Sequence, residues 1–356
     1  MDLIANEILG SSERAITFER YMSLALYHRD YGYYNRDQPK TGKQGDFFTS
    51  TGVHDIYARM MAKVLTDAFQ IEQIQPVIVD VGSGDGRFIN AFLNEVQMLD
   101  ANLYEKLAYY VIESSPYHQR LIKERTASND IHIFSSLFEL KKQLPKLQGI
   151  LFSNELLDAF PVRIVEKYES ELLEVCVGLD EDGNLMELYK PCTDEKIITW
   201  LSQFGFEIEN HQRVEIPLKM TKWLNEIGEW LVDGRVYTVD YGYTHEEWRN
   251  PARWNGSLRG YRNHQMINNP LQYPGEMDLT THVPIDALKV IGEQCSLTWV
   301  SCEPQGRFLI KHGLLDFIQN TRSSDPFSSE HKRNRAVNWL SQSNQFYVIV
   351  QEKRRD

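Results

Sequence analysis

Cysteine is scarce in this sequence, four residues in 356, and the four are scattered at Cys176, Cys192, Cys295 and Cys302. None forms a CxxC pair and none has a histidine at zinc-ligand spacing. Neither a disulfide framework nor a metal site is therefore expected, and the thiols read as reduced and structural. Long apolar runs are missing too: no stretch approaches the roughly 18 apolar residues of a membrane-crossing helix. The opening MDLIANEILGSSERAITF carries acids and has no apolar centre, so it reads as neither signal nor transit peptide. A cytoplasmic protein without a membrane partner is the expectation. Basic charge is in deficit, 38 Lys and Arg against 50 Asp and Glu, for a net charge of −12 and a pI ≈ 5.4. Such a chain lacks the clustered cations that neutralise phosphates, and nucleic acid is not expected as its partner. Internal repeats, low-complexity tracts and a Gly-rich loop ending in Lys-Ser/Thr are all absent.

What is present is ordinary for a folded protein: 42% hydrophobic and 25% charged residues, enough to bury a sizeable core. Residues 1–65 read as an N-terminal helical cap and lid. Thr17 is placed to cap a helix whose face carries Phe18, Tyr21, Met22, Ala25 and Leu26. The next run, LYHRDYGYYNRDQPKTGKQGDFFTSTG, is too rich in Gly, Tyr and polar residues for a regular element and suits a binding loop.

Residues 66–242 alternate strands and helices. VIVDV (77–81), AYYVIE (108–113), IHIF (131–134), GILFSNE (149–155) and GRVYTVDYG (234–242) are the predicted strands. An antiparallel insertion at about 162–215 turns at Asp182-Gly183-Asn184, with helices at 193–204 and 218–232. Residues 243–283 read as an inserted loop region over the site. Residues 284–356 return to the core with a helix near 284–294, a strand at 297–302, a helix near 328–342 and a last strand QFYVIVQEK. The alternation predicts an α/β fold with a doubly wound, mostly parallel sheet.

Asp80-Val81-Gly82-Ser83-Gly84-Asp85-Gly86 lies between a strand and a helix, where glycines let the backbone turn sharply and approach a ligand. The spacing is GxGxG, not the GxGxxG of dinucleotide binding, which speaks against a dehydrogenase. Asp80, Gly82, Ser83, Gly84 and Gly86 are candidate cofactor contacts. Glu113 ends the next strand, where an acid accepts hydrogen bonds from ribose hydroxyls; Ser114 beside it joins the set. The plainer alternative for Glu113 is a solvated strand end. Ser136 and Leu137 follow the third strand, where an adenine ring would be flanked.

SNELLDAFP (153–161) follows the fourth strand on the same edge. Amides and carboxylates grip an amine or guanidinium, and a carboxylate also removes a proton. Asn154, Glu155 and Asp158 are therefore the candidate catalytic residues, with Asn154 also a cofactor contact. The competing account is that the acids merely favour a helix start. Asp240 and Tyr241 end the fifth strand at this edge and line the candidate acceptor pocket, unless they form a plain strand exit. Arg259, Arg262 and His264 would either contact an acidic or polypeptide partner or form a solvated basic loop.

The blocks ITFERYMSLALYHRDYGYY, GDFFTS, VDVGSGDGRF, SNELLDAFPV, VEIP, YTVDYGY, GSLRGY and PGEMDLTTHV run from residue 16 to beyond 280. On them the chain resembles the MidA-like methyltransferases, whose mitochondrial member is an arginine methyltransferase acting on a subunit of respiratory complex I during assembly. The resemblance implies a class I, Rossmann-like fold with a seven-stranded sheet whose last strand runs antiparallel, which QFYVIVQEK suits. It implies S-adenosyl-L-methionine as cofactor, with Gly45, Asp46, Thr49 and Ser50 closing over it. It also places Asp278, Thr280 and His282 in the site region. Read alone, DLTTHV is a loop leading into a helix, and His282 a surface or packing histidine. Two positions depart from the family pattern: Asp85 stands where many relatives carry Arg, and Gly260 interrupts a stretch more often carrying Cys.

The function expected is transfer of a methyl group to a protein arginine held by Asn154, Glu155 and Asp158. Two alternatives stay open, a small-molecule acceptor and a cofactor-binding assembly factor without turnover.

Overall fold

Short β-branched runs recur from residue 77 onward, separated by amphipathic helices. The computed structural model describes residues 2–38, 40, 55–126, 130–321 and 324–355, and in it these runs pair into one large sheet. Among the described residues that sheet has eight strands. Seven lie in the spatial order Thr298–Pro304, Phe346–Lys353, Leu231–Tyr243, Leu147–Asn154, Val77–Val81, Ala108–Ile112, Ile131–Phe134. The eighth, Val283–Pro284, pairs with the end of Leu231–Tyr243. Phe346–Lys353 runs antiparallel to both its neighbours, and the remaining pairs on the path are parallel. After Val77–Val81 the chain builds outward on one side and returns on the other at Leu147–Asn154. The carboxyl ends of those two strands flank the switch point where ligands bind in such sheets.

Both faces of the sheet are covered. Helices Ile56–Glu72, Arg87–Leu99 and Ser329–Ser341 pack Tyr57, Phe92 and Leu340 against Ile78, Phe152 and Val348. On the opposite face Glu195–Phe204, Leu218–Trp230 and Ile285–Gln294 bury Trp200, Trp230 and Ile291 against Val79, Leu151 and Ile349. Burial on two faces is why the central strands read as nearly continuous apolar runs.

A second sheet of five strands joins the N-terminus to the insertion. Glu171–Leu179 pairs along one edge with Leu185–Pro191 and along the other with Arg163–Tyr168 and then Ala15–Thr17; Arg213–Ile216 pairs with Arg163–Tyr168 and completes the sheet. Helices Asp2–Gly10 and Phe18–Tyr27 share a core with this sheet through Ile8, Phe18, Met22, Ile164 and Val177. Thr17 caps the second of these helices, its hydroxyl accepting from the Arg20 N–H at 3.1 Å. The N-terminal cap and the 162–215 insertion are thus one packed layer. The boundary drawn at residue 65 falls inside Ile56–Glu72, because Tyr57, Met61, Val64 and Phe69 along that helix all join the main core.

The 243–283 region, expected as loop, carries a three-stranded sheet ordered Gln265–Ile267, Arg259–Arg262, Asp278–Thr280. Strands of three or four residues offer too little alternation to be legible in sequence. Asn263 and His264, with φ of 51° and 61°, form the two-residue turn of its hairpin, where left-handed backbone matches the strand twist. His264 is therefore an exposed turn residue. The seven-residue helix Gln305–Lys311 was not among the expected elements either. No helix among the described residues is long and apolar enough to cross a membrane.

Candidate active site

The loop after Val77–Val81 makes its turn with three left-handed glycines, Gly82, Gly84 and Gly86, at φ of 75°, 60° and 80°. A side chain on Gly86 would meet the backbone of Ile122, in helix Pro116–Arg125, at 2.9 Å, so this glycine lets that helix close in. Around Gly84 the situation is reversed: no described atom lies within 4 Å of where its Cβ would be. The backbone there faces a cradle that a ligand can enter. Asp80 is buried under the loop and accepts from the Tyr109 hydroxyl at 3.0 Å; burial pushes its carboxyl up to about 7. The Ser83 hydroxyl donates to the Asp80 carbonyl at 3.3 Å, bracing the turn.

Glu113 stands opposite, buried, with Oε2 accepting from the Gly84 N–H at 3.0 Å and Oε1 from the Ser115 N–H at 2.8 Å. Two hydrogen bonds leave lone pairs on this carboxylate for ligand hydroxyls. Ser114 is exposed, and its neighbour Ser115 is the one engaged with Glu113. Ser136 caps helix Leu137–Gln143, accepting from the Glu139 N–H at 3.3 Å; Leu137 is half-buried beside it at the same sheet edge. Gly45, Asp46, Thr49 and Ser50 lie outside the described residues.

The reaction edge is built by Leu147–Asn154 and Leu231–Tyr243 side by side. The Tyr57 hydroxyl donates to Asn154 Oδ1 at 2.6 Å, which turns Asn154 Nδ2 toward Glu155 Oε1 at 3.0 Å. Glu155 has a φ of 51°, costing a non-glycine residue on the order of 1–3 kcal/mol, strain of a kind found at functional sites. Its N–H donates to the Val239 carbonyl at 2.8 Å. Asp240 then collects the backbone: Oδ2 accepts from the N–H of Leu156, Leu157 and Asp158 at 3.1, 2.8 and 3.4 Å, and Oδ1 from that of Tyr241 at 2.9 Å.

Asp158 is buried, and its Oδ1 has no hydrogen-bond partner among the described residues. Burial, then Asp240, Asp278 and Glu155, raise its carboxyl well above the usual range. Its carbonyl accepts from the Thr281 N–H at 2.8 Å, so Thr281, and not Thr280, touches this loop. Asp278 Oδ1 accepts from the Tyr34 hydroxyl at 2.7 Å and the Leu279 N–H at 3.0 Å. The Tyr241 ring packs on Phe346 at 3.9 Å, and burial with Glu155 and Asp158 nearby raises its hydroxyl.

His282 stacks on Tyr243 at 4.0 Å; burial and the cations Arg253 and Arg259 push it down to about 4. It is neutral at ordinary pH and held in packing. Arg259 is bound to the carbonyls of Leu258 and Gly256, at 2.7 and 3.2 Å, while Arg262 pairs with Glu276 at 3.0 Å. Thr280 is half-buried opposite Arg259 in the small sheet.

Tyr34, Tyr57 and Ser115 escape the sequence reading as individual site residues. Tyr57 shows only an apolar helical face, and Ser115-Pro116 only a helix start. The LYHRDYGYY run was the available signal for Tyr34.

A sheet with this strand order and one antiparallel strand, a glycine turn at its switch point and an acid on the neighbouring strand define a class I, Rossmann-like methyltransferase. Comparison with known sequences narrows the class. Residues 58–302 match the family of S-adenosyl-L-methionine-dependent methyltransferases, and the chain belongs to that family. It is 22% identical over 325 residues to the mitochondrial protein arginine methyltransferase NDUFAF7 of Danio rerio, covering 82% of this chain and 71% of that one. Its identity to the Caenorhabditis elegans homolog is 26% over 304 residues, 78% of this chain and 68% of that one. A superfamily member from Burkholderia thailandensis, solved with S-adenosyl-homocysteine, superposes with a TM-score of 0.87 at 23% identity. That match covers 99% of this chain and 92% of the other. The protein is an S-adenosyl-L-methionine-dependent methyltransferase, and the open cradle at Gly84 facing Glu113 fits that cofactor.

Proposed function

We propose that the acceptor is an arginine guanidinium in a protein, with Glu155 and Asp158 as the groups that hold it. The observation that carries this reading is the unpartnered Oδ1 of buried Asp158 within a cluster that also contains Glu155, Asp240 and Asp278. A buried carboxyl oxygen without a partner costs about 1–3 kcal/mol, and a planar cation with several N–H donors would relieve that cost. The relatives named as arginine methyltransferases, at 22% and 26% identity, support the same acceptor.

The cofactor supplies an electrophilic methyl group on a sulfonium that departs as a neutral thioether. Gly82, Gly84 and Glu113 would hold it at the switch point. Asp240 fixes the Leu156–Asp158 backbone, and Tyr57 fixes Asn154, so that Glu155 is aimed before the acceptor arrives. As the guanidinium nitrogen takes the methyl group it gives up a proton, and Asp158 is the carboxylate placed to receive it. Burial raises the Asp158 carboxyl, and a bound cation favours its ionised form; the proton it then releases passes to solvent, which leaves the carboxylate free to take the one given up by the guanidinium.

The test is methylation of a protein extract with isotope-labelled cofactor, followed by amino-acid analysis. Methylarginine should form with the wild-type enzyme. Glu155→Gln should lower the rate roughly 100-fold or more while S-adenosyl-homocysteine binds with unchanged affinity. Label appearing only in small molecules, or on lysine, would overturn the arginine assignment.

A further inference from the structure

One tyrosine touches both halves of the site. The Tyr34 hydroxyl donates to Asp278 Oδ1 at 2.7 Å, beside the carboxylates assigned to the acceptor. The backbone carbonyl of the same residue accepts from the Ser115 hydroxyl at 2.7 Å. Ser115 in turn donates its N–H to Glu113 Oε1, and Gly84 donates to Glu113 Oε2. A continuous path therefore runs from the glycine turn through Glu113, Ser115 and Tyr34 to Asp278.

The path is stiff at its middle. Asn35 Nδ2 donates to the carbonyls of Tyr27 and His28 at 3.0 and 3.2 Å, which closes the turn that carries Tyr34. The rings of Tyr27 and Tyr34 lie 5.4 Å apart, and the Tyr27 hydroxyl donates to the Ala159 carbonyl, next to Asp158, at 2.8 Å. Burial and the charge of Asp278 hold the Tyr34 hydroxyl protonated, so it remains a donor at any ordinary pH.

The geometry points to Tyr34 as a positioning residue that couples the cofactor carboxylate Glu113 to the acceptor-side carboxylate Asp278. A ligand that orders Glu113 orders Ser115 and Tyr34 with it, and so sets Asp278. By linkage a cation bound at Asp278 must tighten the cofactor to the same degree. The inference rests on the reading of Asp158 and Asp278 as the acceptor side.

Two backbone amides report on the ends of the path without any acceptor present: Gly84 N–H on Glu113, and Leu279 N–H, at 3.0 Å, on Asp278. Hydrogen–deuterium exchange of the full chain is measured with and without saturating S-adenosyl-homocysteine. In the wild type, exchange should slow severalfold at Gly82–Gly86 and also at Leu279–Thr281. Tyr34→Phe keeps the ring and the carbonyl but loses the donor; it should retain the first response and lose the second. Ser115→Ala breaks the path at its other end and should behave alike, which keeps the test decisive if Tyr34→Phe folds poorly. A wild type without a response at Leu279–Thr281, or variants in which that response persists, would overturn the coupling. Failure of the arginine assignment would appear in the methylation products and leave these exchange patterns intact.

Discussion

Asp158 carries the sharpest consequence at the residue scale, because its environment favours the uncharged carboxyl. A folded-state value above the unfolded one means that its contribution to stability is fully present below the unfolded value and is lost as pH rises through the folded one. Asp80 and Asp240, both raised from 3.8 to about 7, act in the same direction. His282 works oppositely: lowered from 6.5 to about 4, it withdraws stability as pH falls through that interval. The ligand-free enzyme should therefore lose thermal stability from these carboxyls as pH rises from about 4 to about 7, against the opposite contribution of His282. Asp158→Asn, which cannot ionise, should lessen that decline, leaving the part owed to Asp80 and Asp240, and should abolish turnover. Parallel melting curves for the two proteins across the range would show that Asp158 is not held uncharged.

Elements differ in how openly the sequence declares them. Val77–Val81 and Ile131–Phe134 were legible to the residue, since each is a short β-branched run between turn-formers. Helix Phe18–Tyr27 was equally legible, from its apolar face and its Thr17 cap. Thr17→Ala should cost about 1 kcal/mol in chemical denaturation, and no measurable change would mean that the cap is replaced by solvent. The strands at Arg259–Arg262 and Asp278–Thr280 were hidden because pairing across the chain, not local pattern, makes them strands. The site divides along the same line. Gly82–Gly86, Glu113, Asn154–Asp158 and Asp240 could be named as candidates from their places at strand ends. Tyr57, Tyr34 and Ser115 act through partners up to 244 residues away, as in Tyr34 to Asp278, and Glu155 through a backbone angle that no residue type announces.

Over the whole molecule, the candidate ligand crevice at the carboxyl ends of Val77–Val81 and Leu147–Asn154 is reached by side chains from the layer shared by the N-terminus and the insertion. Tyr27 reaches from that layer to Ala159, just beyond the main-sheet strand Leu147–Asn154, and Tyr34 to Asp278 in the small three-stranded sheet. Occupancy of the crevice should stabilise the native state as a unit. S-adenosyl-homocysteine at a hundredfold excess over its dissociation constant should add about 2.7 kcal/mol, seen as a rise in melting temperature, while NAD adds nothing. A shift with NAD would contradict the GxGxG reading. The antiparallel strand Phe346–Lys353 has a different kind of consequence, one of timing on the ribosome. It is made after Thr298–Pro304, yet lies between that strand and Leu231–Tyr243 and supplies the pairing that joins Thr298–Pro304 to the sheet. At roughly 5–20 residues per second, Thr298–Pro304 waits on the order of seconds without a partner, a window in which a nascent chain is open to chaperones and to mispairing.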